Sequence, residues 1–182
     1  MAFPALLDAC VLVPYNPASV LLYLAKEKTY RPLWSTHILD EVERNLVAKI
    51  GQSPEKAARR VRAMRDAFPD AEVAGYDTLI EAMECDKKDR HVLAAAVRAN
   101  AEVVVTANLK DFPSAALEPY DLKAVGPDDF LLDQFDLYPE KTLGCLRRIV
   151  EVRRKPPETL DYFLGCLEEP LPGFVAGVRR LL

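Results

Sequence analysis

The sequence predicts an α/β fold: a parallel sheet sandwiched by helices, with a C-terminal helical extension. Three observations carry this. The segment Ala5–Val13 is apolar apart from Asp8 and reads as a buried strand. Glu102-Val103-Val104-Val105-Thr106 is the clearest β-branched run in the chain. Segments with helical spacing fall between such runs, and helix alternating with strand is the pattern of a parallel sheet covered by helices.

The first strand, Ala5–Val13, is expected to end in a turn at Pro14, with a helix over Ala18–Lys28 after it. Pro32–Ser35 reads as a short second strand. Thr36 is placed to cap a helix over His37–Ile50, whose stripe of Ile38, Leu39, Val42, Leu46 and Ile50 has helical spacing. Ser53 caps the next helix, with Pro54 in its first turn, and that helix runs to about Phe68. An extended piece near Glu72-Val73-Ala74 follows, then a short helix capped by Asp77 and reaching Met83. A helix over Asp89–Ala99 leads into the β-branched strand. Lys123-Ala124-Val125 is a candidate final strand. After Pro127 the pattern is helical, with segments at Pro139–Arg154, Pro157–Leu167 and Pro172–Leu182 separated by prolines. This divides the chain into a domain over 1–130 and an extension over 131–182 packed on it.

Composition narrows the function. With 50% hydrophobic and 29% charged residues over 182 positions, the chain reads as a globular protein with an ample core. The early apolar run carries Asp8 and has no basic residues before it, so it reads as neither a leader nor a membrane helix, and the expected location is cytoplasmic. The four cysteines are scattered without a CxxC pair, and there are only two histidines. A bound metal would therefore be held by oxygen, which selects hard ions such as Mg2+ or Mn2+. A net charge of -4 argues against passive coating of nucleic acid but not against a nuclease, whose clustered carboxylates are neutralised only when metal binds.

Four acids stand out. Asp8 interrupts a buried strand, where an ionised carboxylate is costly unless it is paired or binds metal; alternatively it bonds the amides of the next turn. Asp89 shares a helix face with Val92, Leu93 and Ala96, which turns it towards the sheet; alternatively it is an N-cap, a role also open to Asp86. Asp111 follows the second clear strand, where α/β sheets place ligands, or sits in an ordinary turn. In the same loop, Thr106 and Asn108 are placed to bind water or phosphate, or to satisfy the loop backbone. On the helix after the second strand, Asp40, Glu41 and Glu43 are all available, and periodicity alone favours Glu43 over Glu41. In a parallel sheet the places of Asp8, Asp89 and Asp111 converge on one edge. Crowded carboxylates repel and need a cation, and the chemistry that follows is metal-assisted attack of water on a phosphodiester.

Four segments carry a resemblance. They are Leu6–Leu12, Ile38–Val42, Asp86–Ala96 and Thr106–Phe112, which resemble in order and spacing the acidic blocks of PIN-domain ribonucleases, and among those the VapC-like toxins of bacterial toxin–antitoxin pairs. The third and fourth blocks are fairly specific; the second is not. The resemblance covers roughly residues 3 to 130 and assigns no role to the helical tail. It implies cleavage of RNA dependent on Mg2+ or Mn2+. It puts Asp8, Glu41, Asp89 and Asp111 at the catalytic and metal-ligating positions, with Asp86 as an additional acid. Asn108 stands where many relatives carry an acid, so the fourth position is divided between Asn108 and Asp111. A cognate antitoxin and a homodimer are implied partners, with no membrane involved.

Arg44, Lys87, Arg90 and Lys110, with Lys88, lie close in sequence to the acidic blocks as candidate RNA contacts, and Arg59, Arg60, Arg62 and Arg65 form a second group; both groups are otherwise solvated helix faces. Val20, Leu21, Leu22, Leu24, Phe163, Leu164 and Phe174 either bind an antitoxin or second copy, or pack in the core. The competing functions are an antitoxin-independent RNA-processing nuclease and a catalytically silent PIN-like module that binds protein or RNA. A phosphatase of the haloacid dehalogenase type would carry a second Asp two residues after Asp8, where Cys10 stands, and the acidic pair of a receiver domain is missing.

Overall fold

A computed structural model describes residues 2–153 and 158–182. Five parallel strands form the sheet: β1 (Pro4–Leu7), β2 (Arg31–Ser35), β3 (Glu72–Val73), β4 (Val103–Val105) and β5 (Lys123–Val125), in the order β3-β2-β1-β4-β5. Leu6 pairs with Leu33 on one side and Val104 on the other, so the sheet centre is a row of fully buried aliphatic side chains. The chain moves outward from β1 to β3, then returns to the far side of β1 for β4 and β5. The seam between β1 and β4 is thus the topological switch point, where open α/β sheets form their ligand crevice.

β1 stops at Leu7, short of the expected Val13. The Asp8 amide donates to the Val105 carbonyl at 3.1 Å as the last pairing bond, and Ala9–Leu12 then form a one-turn helix, α1. Ala9, Val11 and Leu12 are buried, and an apolar segment enclosed on all sides carries no period that separates strand from helix. α2 (Tyr15–Lys26) begins three residues before the expected Ala18, because Pro17 sits in the first turn, where amides lack helical partners in any case. α3 (Thr36–Ala48) is capped by Ser35 rather than Thr36: the buried Ser35 Oγ accepts from the Ile38 amide at 3.1 Å. α4 (Pro54–Ala67) has the expected Ser53 cap and leading Pro54.

The expected helix from Asp77 is a 3-10 turn over Asp77–Ala82, and α5 (Arg90–Arg98) delivers the chain into β4. A 3-10 turn over Leu109–Asp111 and a one-turn helix, α6 (Ser114–Leu117), fill the connection to β5. The tail comprises α7 (Pro127–Leu137), α8 (Pro139–Val152), α9 (Leu160–Glu168) and α10 (Pro172–Leu181). The expected end at Arg154 and start at Pro157 lie outside the described residues. α8 and α9 pack on α2, and α10 packs on α7 and α9. The Asp128 carboxylate caps α10 from α7, accepting the Gly173 and Phe174 amides at 2.9 and 2.8 Å. Val20, Leu21, Leu24, Phe163, Leu164 and Phe174, offered by the sequence as a docking surface, are consumed by this packing and are buried. Among the described residues, no helix is long and apolar enough to cross a membrane.

Candidate active site

The carboxyl ends of β1 and β4 lie side by side, and the loops leaving them are tied to each other. Asp8 leaves β1 at 4% exposure and flanks α1, yet its carboxylate does not cap the backbone amides of that helix. Its Oδ2 instead accepts from the Thr106 hydroxyl at 2.7 Å and from the Cys10 thiol at 3.2 Å. Thr106 Oγ1 in turn accepts the Asn108 amide at 3.1 Å, and the Ala107 amide donates to Cys10 Sγ at 3.2 Å. Both bonds to Asp8 fall on one oxygen, so the other is left for a different partner. Burial, followed by the Asp8 charge, pushes the Cys10 thiol up to about 12, which keeps it a neutral donor. Thr106 therefore orients Asp8 and braces the loop.

Asp89 repeats this arrangement. It flanks α5 without capping it, and its Oδ2 is buried with no hydrogen-bond partner. Asp86 does not cap α5 either: its Oδ1 accepts the Lys88 amide at 3.1 Å and closes the turn that precedes the helix. Burial first, then the charge on Asp8, push Asp89 from 3.8 up to about 6, and Asp111 and Asp86 add to this. Asp111 lies opposite: the Lys88 ammonium is 3.3 Å from Asp111 Oδ2 and 3.9 Å from Asp89 Oδ2. Glu41, on α3, is half-buried, and burial followed by the Asp8 charge raises its pKa. Its Oε2 is 3.8 Å from His91 Nε2.

Asp8, Glu41, Asp89 and Asp111 thus share one electrostatic neighbourhood at the switch point. Their donor set is carboxylate oxygen, and an orphaned buried carboxylate oxygen on Asp89 fits a hard divalent cation. Among the described residues, no three acid, imidazole or thiol side chains stand close enough to close on one ion as they are. Lys88 supplies positive charge there instead.

The other candidates are spread around this cluster. Arg44 and Lys87 are exposed on the rim beside Glu41, and Lys110 lies exposed in the 3-10 turn before Asp111. Arg90 is half-buried and 3.9 Å from Glu81. From the second basic group, Arg60 donates to the Leu12 and Val13 carbonyls at the end of α1, and Arg65 pairs with Glu72. Sequence reasoning missed Cys10 and Lys88 as parts of the cluster. No periodicity marks Cys10, because its contact with Asp8 is made across the strand-to-helix turn. A cavity of about 610 Å3 lies at the amino ends of the strands between Phe3, Tyr30, Pro32 and Phe68, remote from the carboxylates.

A parallel α/β sheet with acids gathered at its switch point defines a class, and comparison with known proteins names it. Residues 4–110 match the family described as PIN domain, and residues 127–180 match the family described as VapC50 C-terminal domain. The chain belongs to the PIN-domain family. It is 55% identical over 107 residues to a Mycobacterium tuberculosis (strain ATCC 25618 / H37Rv) protein named "Putative ribonuclease VapC50". That match covers 59% of this chain and 63% of the relative, so the chain spans less than two thirds of the relative's length. No solved structure matches.

Proposed function

We propose that the chain is an endoribonuclease dependent on Mg2+ or Mn2+, and the toxin of a toxin–antitoxin pair. The observation that carries this reading is the buried Asp89 Oδ2, which has no hydrogen bond and only the 3.9 Å ion-pair contact with Lys88, set among Asp8, Glu41 and Asp111 at the switch point. A structure that leaves such a buried oxygen without a hydrogen bond forgoes stability, as functional sites do. Asp8, Asp89 and Asp111 would hold the cation, with Glu41 and Asp86 as further acids. A bound divalent ion supplies Lewis-acid stabilisation of charge developing on phosphate and acidifies water for attack.

The chain's own residues do the rest. Thr106 and Cys10 fix the rotamer of Asp8, so that its free oxygen is presented in one direction. Asn108 supports the amide ladder beneath Thr106 and lies beside the strand end, where it can orient a water or phosphate oxygen. Lys88 must release Asp89 and Asp111 when a cation enters, and its ammonium is then free to meet phosphate. Arg44, Lys87, Arg90 and Lys110 are the nearby cations for the RNA backbone.

The name of the relative supports the RNA substrate. The toxin assignment brings with it a cognate antitoxin, a homodimer and a cytoplasmic setting. The division into a nuclease domain over 1–130 and a packed helical extension over 131–182 belongs to the same proposal.

The test is incubation of purified protein with RNA in Mg2+ or Mn2+, in EDTA, and with the Asp8→Asn variant. Wild type is expected to cut only with metal, and Asp8→Asn to lose at least about a hundredfold in rate, the scale of losing a group that stabilises transition-state charge. Equal cleavage by wild type and Asp8→Asn would sink the reading. Growth arrest on induced expression, relieved by a neighbouring small reading frame, separates a toxin from a processing nuclease.

A further inference from the structure

A second concavity adjoins the carboxylate cluster and shares Glu41 with it. It measures about 350 Å3 and is walled by α3, α5 and the 3-10 turn over 77–82, with His37, Arg44, Lys87 and His91, the carboxylates Asp40 and Glu41, and Ile80 lining it. Ligand pockets begin at about this size.

Its floor is aromatic. The His37 and His91 rings are 5.4 Å apart between centroids and inclined at 66°. His37 is exposed, yet its ring is held: Nδ1 is 2.8 Å from the hydroxyl of the buried Tyr76, whose ring meets it edge-on at 5.7 Å. His91 turns Nε2 towards Glu41, while its Nδ1 is buried without a hydrogen-bond partner. Above this floor stand Arg44 and Lys87, and among the described residues neither has a carboxylate within ion-pair distance. Nor, among those residues, do the imidazoles and Glu41 form a group able to close on a metal ion.

An exposed imidazole held in place by Tyr76 and two cations without a carboxylate at ion-pair distance suit one chemical object: an unstacked nucleobase with its flanking phosphates. Proteins that read single-stranded RNA stack splayed bases on aromatic or histidine rings and hydrogen-bond their edges. Arg and Lys meet the phosphates. Glu41 borders both the cavity and the carboxylate cluster, so a nucleotide seated here is adjacent to the phosphodiester at the cluster.

We propose that this cavity is the subsite for one unstacked nucleotide of single-stranded RNA next to the cleaved bond, with the exposed His37 ring as base platform, His91 packed edge-on beside it, and Arg44 and Lys87 as phosphate contacts. The proposal rests on the ribonuclease reading above. It makes His37, Tyr76 and His91 determinants of substrate choice: Tyr76 acts only by positioning the His37 ring.

The experiment is fluorescence anisotropy of labelled single-stranded RNA hexamers of each base with the full chain in Ca2+, beside steady-state cleavage in Mn2+. His37→Ala is expected to weaken binding by roughly tenfold, the scale of one lost base–aromatic stack, and to raise KM more than it lowers kcat. His37→Phe, which keeps a flat ring, restores most of the affinity. Tyr76→Phe gives a smaller loss. Arg44→Ala weakens all four hexamers alike and lowers the salt slope by about one. Thermal unfolding of each variant checks that the fold is kept.

If wild type binds and cuts while His37→Ala and Arg44→Ala match it in affinity and KM, the subsite is wrong and the nuclease reading stands. Binding of a blunt RNA duplex as tightly as the single strands also overturns the subsite. If wild type neither binds nor cuts RNA, the nuclease reading falls and takes the subsite with it.

Discussion

An aspartate just before a helix normally spends its carboxylate on the amides of the first turn. Asp8 and Asp89 both occupy such positions, and neither makes that bond. For Asp89 the consequence is a stored electrostatic cost. Burial and the Asp8 charge raise its pKa from 3.8 to about 6, so the folded carboxyl binds a proton more tightly than the unfolded one. Between these values the folded state carries the extra proton, and stability falls as pH rises through that window. Metal-free protein should therefore gain stability from this group as pH is lowered from 7 towards 5. Asp89→Asn, which keeps the shape and removes the charge, should raise the metal-free Tm at pH 7 by about 2–4 °C for each kcal/mol relieved, and flatten the pH dependence. Scanning calorimetry of both proteins in EDTA at pH 5 and 7 reads this; a lower Tm for the variant at pH 7 would refute it. Thr106 makes the complementary case. Thr106→Val keeps the volume and deletes the 2.7 Å donor to Asp8. Partners that orient a metal ligand are typically worth about 10–100-fold in affinity, so Mn2+ binding followed by electron paramagnetic resonance should weaken by that range, and Tm should fall because the Asn108 amide loses its buried acceptor.

At the scale of elements, the sheet was legible because its central strands are β-branched or aliphatic and lie between amphipathic helices. Val103-Val104-Val105 and the stripe Ile38, Leu39, Val42, Leu46 each declare one conformation. What stayed hidden was wherever burial is all-round or a bond crosses the chain. The strand reading of Ala9–Leu12 is one example: these residues are enclosed on every side, so the break after Leu7 leaves no mark in the hydrophobic pattern. The cap of α3 is another, since Ser35 and Thr36 are both good caps and only the position of the Ile38 amide separates them. The acids at strand ends could be suggested from Asp8 and Asp111, because topology alone brings those ends together. Glu41 could not be chosen over Glu43 by periodicity; the resemblance singled it out, and the fold then puts its carboxyl in the field of Asp8. The His37–Tyr76–His91 group was wholly invisible, since it joins α3, α5 and the approach to a 3-10 turn across more than fifty residues of chain.

For the molecule as a whole, the question is what keeps the four tail helices on the sheet domain, and Arg153 is the strongest single tie. Its side chain is only 13% exposed, and the guanidinium spans both parts of the chain. It donates to Asn16 Oδ1 at 3.0 Å and Ser19 Oγ at 3.5 Å on α2, and to Glu158 Oε2 at 3.0 Å just before α9. It also lies over the Tyr15 ring at 4.9 Å and the Phe163 ring at 4.6 Å, and Arg60 lies over Tyr15 at 5.5 Å. Removing it strands the Glu158 carboxylate, itself only 19% exposed, and uncovers two rings. Truncating one partner of a buried ion pair costs about 3–5 kcal/mol, and the solvent that reaches this pair reduces that towards about 2–3. Arg153→Ala should therefore lower the urea midpoint. Arg153→Lys keeps the charge but loses the planar stack and the forked bonds, so it should recover only part of the loss. Because Arg153 touches none of the carboxylates at the switch point, the Mn2+ affinity of folded Arg153→Ala should match wild type. A parallel loss of metal binding would mean that the tail shapes the site through α2, and that the sheet domain and its extension act as one cooperative unit.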